Sequence, residues 1–159
     1  MKQLTTLFLS FFYIGFISGI AGTLASIASI PLTLQLFPIL PFEAPDRPIA
    51  YIGIITLLVL FGVVAITYCD RIPKDKIDQP FIVLDEIVGM MIALFPVVMS
   101  TEFLWYSPLI ALGLFRFFDI SKPLGIGKID KMNTPLSVMM DDVVAGGYSA
   151  IILGFYLMV

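Results

Sequence analysis

No histidine occurs among the 159 residues, which removes the commonest general base and every mechanism that runs through a phosphohistidine or a Ser-His pair. A single cysteine, Cys69, excludes an internal disulfide. Charge is scarce, with 13% Asp, Glu, Lys and Arg, a net charge of −3 and no basic run, so a nucleic-acid surface has nothing to stand on. What replaces charge is apolar: 59% of residues are hydrophobic and the mean hydropathy is +1.03. Several of the runs are long enough that only a bilayer accommodates them. Residues 1–159 therefore read as one integral-membrane domain. With histidine absent, any hydrolysis must use carboxylates, together with a metal.

The expected architecture is all-α, a polytopic helical bundle of four to five spans preceded by a short N-terminal re-entrant or interfacial helix. Met1-Lys2 followed by Leu7–Ile20 imitates a signal peptide, but is expected to stay in the mature chain. Leu4–Ile20 is short and broken by Gly15 and Gly19, leaving a span and a re-entrant piece both open. Thr23–Leu40 reads as a span, Pro41–Pro48 as a Pro-rich loop with Glu43, Asp46 and Arg47, and Ile49–Tyr68 as the clearest transmembrane helix. A charged connection follows at Cys69–Pro80. Phe81–Met99 is apolar and is expected to kink or stop near Pro96. Glu102 and Trp105-Tyr106 suggest an interfacial turn. Leu109–Phe118 returns, Arg116–Lys131 forms a second charged connection, and Val143–Leu157 is the last expected span.

Two stretches stand out. Val83-Leu84-Asp85-Glu86-Ile87-Val88-Gly89-Met90 and Met139-Met140-Asp141-Asp142-Val143-Val144-Ala145-Gly146 each place an acidic pair inside apolar sequence. On a helix Asp85 and Gly89, and likewise Asp141 and Ala145, lie one turn apart, which leaves room beside each acid for an ion, a ligand or a neighbouring helix. Acidic residues also favour helix N-termini for electrostatic reasons alone, but flanking apolar residues on both sides argue against simple decoration. A second group, Arg116, Asp119 and Lys122, follows i, i+3 spacing and sets one acid between two cations, a charge excess that suits phosphate. Gly22-Thr23, opening a helix, offers N–H groups, a hydroxyl and the positive dipole end to an anion.

The lysine and arginine bias puts both charged connections on one side, the cytoplasmic one by the positive-inside rule. The parity of the spans then places both acidic pairs, the Arg116–Lys122 group and Gly22-Thr23 at that same face. Acids inserted towards a bilayer centre cost roughly 2.5–3.5 kcal/mol each, less near the interface, and adjacent carboxylates repel. A divalent cation relieves both penalties: magnesium takes one or two carboxylates and completes its shell with water and phosphate oxygens.

At these residues the chain resembles the phosphatidylglycerophosphatase A family of bacterial inner-membrane enzymes. The resemblance runs from about Gly15 to Gly146 and is most specific at Asp85-Glu86-Ile87-Val88-Gly89-Met90, at Phe115-Arg116 through Asp119 to Lys122-Pro123, and at Met140-Asp141-Asp142-Val143-Val144-Ala145-Gly146. Ala21-Gly22-Thr23 stands where the family has Pro-Gly-Thr, Ala25-Ser26 where Gly-Ser is common, and Asn133–Val138 lacks the family's usual glycines. The resemblance implies magnesium-dependent removal of the terminal phosphate of phosphatidylglycerophosphate, giving phosphatidylglycerol, at the cytoplasmic face of a bacterial inner membrane. Expected roles are Asp85, Glu86, Asp141 and Asp142 as metal ligands that orient water, Asp119 as a further ligand or general base, and Gly22, Thr23, Arg116 and Lys122 as phosphate-binding groups. An aspartyl-phosphate intermediate is an alternative route. Two rival readings are a CDP-alcohol phosphatidyltransferase, for which no acid-Gly-x-x-Ala-Arg run is present, and a small cation or phosphate transporter. A transporter needs polar residues at the midplane, and Ile49–Tyr68 and Val143–Leu157 carry almost none.

Overall fold

The computed structural model describes residues 2–40, 46–100 and 104–158, and every regular element among them is helical. Helix α1 (Lys2–Leu9) ends at a turn in which Phe11, Phe12 and Tyr13 all take left-handed backbone angles, and a 3-10 turn follows at Ile14–Phe16. Eight helical residues reach only about 12 Å, so of the two readings left open for this segment the short, broken one is found. Val83 N–H donates to the Leu9 carbonyl at 2.9 Å, Phe16 stacks on Phe81, and a Cβ at Gly15 would lie 2.0 Å from the Phe81 carbonyl oxygen. The N-terminal segment thus seats against the chain just ahead of Asp85.

Helices α2 (Ala21–Ile39) and α3 (Asp46–Tyr68) follow. Asp46, Arg47 and Pro48, expected in the loop, instead form the first turn of α3, where proline loses no hydrogen bond and an acid complements the helix dipole. Glu43 and Glu102 lie outside the described residues. Helix α4 (Leu84–Ala93) breaks at Leu94 and resumes as α5 (Phe95–Met99), with Pro96 in its first turn, as its missing N–H requires. At the break, the buried Tyr51 hydroxyl of α3 donates to the Met91 carbonyl at 3.0 Å.

Helix α6 (Ser107–Ser121), short α7 (Ile126–Asp130) and α8 (Pro135–Met158) complete the chain. Helix α8 starts well before the expected Val143, so Asp141 is its seventh residue and not its first. Among the described residues three helices, α2, α3 and α8, are long and apolar enough to cross a membrane. The expected four to five spans are not reached by length: α4 measures about 15 Å and α6 about 22 Å, against a hydrocarbon core of about 30 Å.

Helix α4 is short because it is the centre of the bundle and not part of its wall. Leu84, Asp85, Ile87, Val88, Gly89, Met90, Met91 and Ala93 are all buried, while α3 turns Ile52, Leu57, Leu60 and Val64 outward. Its closest neighbour is α8. A Cβ at Gly146 would come within 2.2 Å of the Gly89 carbonyl oxygen, and one at Gly89 within 2.7 Å of the Asp142 carbonyl oxygen. The space one turn beyond Asp85 is therefore filled by a neighbouring helix, and the contact brings the two acidic pairs together.

Candidate active site

The start of α2, the start of α4, the end of α6 and the second turn of α8 meet at one end of the bundle. Asp85 and Glu86 occupy the first turn of α4. Asp142 comes from α8, and carboxylate oxygens of Asp85, Glu86 and Asp142 all lie within 4.8 Å of one another. Asp85 and Asp142 are buried, at 8% and 3% exposure.

Asp119 stands beside the same acids, within electrostatic range of Glu86 and Asp142. Carboxylates crowded this closely need a shared proton or a cation between them. Glu86 Oε2 is buried and has no hydrogen-bond partner among the described residues, a costly arrangement for a charged oxygen unless a cation meets it. Three carboxylates, one of them with an orphaned oxygen, offer the hard donors that a divalent ion such as magnesium takes, so the residues fit the group.

Arg116 supplies the opposite charge. Its Nη1 lies 2.6 Å from Asp119 Oδ2, yet neither Nε nor Nη1, both buried, completes a hydrogen bond among the described residues. Gly22 fits between Glu86 and Arg116: a Cβ there would meet Glu86 Oε1 at 2.3 Å and Arg116 Nη1 at 3.2 Å. Thr23 follows it in the first turn of α2 and is exposed.

Asp141 and Lys122 are placed differently. Lys122 Nζ is 2.7 Å from Asp141 Oδ2 and also bonds Asp130 of α7. Burial opposes the charge of Lys122, but the hydrogen bonds it donates to Asp130 and Asp141 outweigh it and push its pKa up. Asp141 is outside the group of three acids that share one 4.8 Å neighbourhood. The resemblance between the two pairs stays local: Asp85 Oδ1 accepts the Glu86 N–H at 3.0 Å, and Asp141 Oδ1 accepts the Asp142 N–H at 3.1 Å.

Three residues of this end had no role in the sequence reading. Asp130 was visible there only as one of several charges in a connection. Asp78 lies within electrostatic range of Lys122 and Asp130. Asn133, left-handed at φ 47, accepts the Ile77 N–H at 2.9 Å and donates to the Asp75 carbonyl at 3.0 Å. That side chain clamps the two charged connections together, which agrees with their expected placement on one side. Its left-handed angle, common for asparagine, is a signal that sequence spacing does not carry.

The sequence profile of the phosphatidylglycerophosphatase A family matches residues 7–157. A Bacteroides thetaiotaomicron protein, named provisionally as a phosphatidylinositol-3-phosphatase, is 38% identical over 139 residues, 87% of this chain and 82% of that one. The phosphatidylglycerophosphatase A of Escherichia coli is 32% identical over 150 residues, covering 89% and 79% of the two chains. That of Haemophilus influenzae is 40% identical over 77 residues, 48% of this chain and 45% of its own. No solved structure matches the chain. With carboxylates, a half-buried arginine and membrane helices in this arrangement and the profile spanning nearly the whole sequence, the chain belongs to the phosphatidylglycerophosphatase A family.

Proposed function

We propose that this protein removes the terminal phosphate of phosphatidylglycerophosphate to give phosphatidylglycerol, with magnesium as its cofactor. The observation that carries the reading is the meeting of Asp85, Glu86 and Asp142 within 4.8 Å, next to an arginine whose Nε has no hydrogen-bond partner among the described residues, in a member of this family. Asp85, Glu86 and Asp142 would hold the ion, which supplies charge neutralisation to the phosphate and acidity to water. Arg116, through Nε and Nη1, binds phosphate oxygens, and the N–H groups of Gly22 and Thr23 face the same anion from the start of α2. Asp119 orients Arg116 and takes the proton of the attacking water. Water oxygen bonds to phosphorus, the phosphorus–glycerol oxygen bond breaks, and the departing alkoxide takes up a proton.

The membrane setting follows the same logic. The ends of α3 and α6 and the starts of α2, α4 and α8 share one end of the bundle, and the sidedness is the same whether the hairpin of α4, α5 and α6 crosses fully or turns back. Counting that hairpin as two crossings gives five. We assign the shared end to the cytoplasmic face of a bacterial inner membrane on the lysine and arginine bias of the two connections.

A second reading has one specific support, the substrate named for the 38% identical relative. The test is phosphate release by purified protein from phosphatidylglycerophosphate and from phosphatidylinositol 3-phosphate in parallel. The expected result is turnover of the first, lost on magnesium chelation and in Asp142→Asn. Turnover of the inositol lipid alone would replace the substrate assignment, and activity that survives both treatments would end the metal-carboxylate reading.

A further inference from the structure

Two acidic pairs of almost the same sequence end in different surroundings, and the difference is one lysine. Asp85 and Glu86 both join the cluster of acids, whereas of the second pair Asp142 joins it and Asp141 is bound to Lys122. Lys122 is not a loose surface lysine. It ends α6 in the left-handed conformation at φ 45, its N–H donates to the Phe118 carbonyl at 2.9 Å, and its own carbonyl accepts the Gly127 N–H at 3.2 Å. With its backbone fixed on both sides, its side chain reaches Asp130 on α7 and Asp141 on α8 at once.

The charge count then decides between two roles. One ammonium between two carboxylates leaves a local charge of −1, so the positive charge expected to be spare for phosphate is already compensated. Arg116 pairs with a single acid, Asp119, keeps Nε without a hydrogen-bond partner among the described residues, and fills that role. Asp141, 6% exposed, would otherwise be a further buried anion beside Asp142, repelling it along the same helix turn.

We propose that Lys122, braced by Asp130, is a positioning group that holds the Asp141 carboxylate out of the cation-binding set, so that Asp142 alone of the second pair joins Asp85 and Glu86. The proposal rests on reading Asp85, Glu86 and Asp142 as the metal-holding acids. It makes Asp141, Lys122 and Asp130 residues that act through Asp142 and touch neither ion nor substrate.

The test uses the full chain in detergent with Mn2+ as the probe, its binding followed by electron paramagnetic resonance. Asp142→Asn should weaken Mn2+ binding at least tenfold, and Asp141→Asn should leave it within threefold of the wild type. Equal losses in the two variants would overturn the proposal. Lys122→Met should tighten Mn2+ binding, because it frees Asp141, and the Lys122→Met/Asp141→Asn double variant should return it to the wild-type value. Lys122→Arg should behave as wild type. A lysine that only glued helices together would shift unfolding and leave Mn2+ affinity per folded molecule untouched. A thermal-unfolding cycle on Lys122→Met and Asp141→Asn gives an answer without metal: the double variant should lose less than the sum of the singles, and strict additivity would overturn the pairing. If wild type binds Mn2+ in this pattern but releases no lipid phosphate, the proposed substrate fails and this assignment stands. If it turns over lipid while Asp141→Asn loses Mn2+ as Asp142→Asn does, the reverse holds.

Discussion

At the scale of single residues, three glycines hold the site together in two different ways, and the difference is measurable. Gly146 and Gly89 let the backbones of α8 and α4 touch, and a methyl at Gly146 would meet the Gly89 carbonyl at 2.2 Å, an atom that cannot move without displacing a helix. Gly22 instead faces the end of a side chain, Glu86 Oε1, at 2.3 Å. Gly146→Ala should therefore cost about 2 kcal/mol or more of stability, as overpacking does, and should lower the yield of folded protein. Gly22→Ala should fold as well as the wild type, since alanine favours a helix over glycine, yet lose at least tenfold in kcat/KM, about 1.4 kcal/mol of transition-state stabilisation. Thermal unfolding and phosphate release measured on the same preparations separate the two. A fully active Gly22→Ala protein would mean that Glu86 does not need its position.

At the scale of elements, the broken helix of α4 and α5 is the feature that most needs support inside a bilayer, where unpaired backbone groups find no water. Leu94 ends α4, Pro96 cannot donate, and the freed Met91 carbonyl is met by the Tyr51 hydroxyl at 3.0 Å. Tyr51 itself is fully buried and packed between Phe37 and Phe95. Tyr51→Phe keeps that packing and removes only the hydrogen bond, so it should cost about 1–2 kcal/mol without changing turnover per folded molecule. An unchanged unfolding midpoint would mean that the break is satisfied in another way. The element also explains why length alone picks out fewer spans than the apolar pattern suggests: a helix buried among its neighbours need not be bilayer-long.

At the scale of the whole molecule, the arrangement of α2, α3, α4, α6 and α8 puts every charged connection that bears on the site at one end. Lys128, exposed beside the site on α7, reports which side of the membrane that end occupies. In a Cys69→Ser background, Lys128→Cys should be protected from a membrane-impermeant maleimide in intact cells and labelled in inverted vesicles. Labelling in intact cells would turn the topology over and place the pocket outside.

The sequence by itself determined the membrane character and most of the elements. Its apolar runs required a bilayer, Pro96 required a break, and the two acidic pairs with Arg116 and Asp119 were identifiable as a candidate site because buried charge in apolar sequence has to be compensated. Three matters were settled only by the tertiary structure. Helix lengths in the interior depend on what surrounds them, so α4 and α6 came out shorter than spans. Where the Asp141 carboxylate lies depends on its contact with a lysine nineteen positions away in sequence, at a left-handed helix end. The approach of the acidic pairs depends on Gly89 and Gly146 meeting across two helices. Local patterns fix what each segment prefers, but distances between side chains of different helices are properties of packing, and packing is where this site is made.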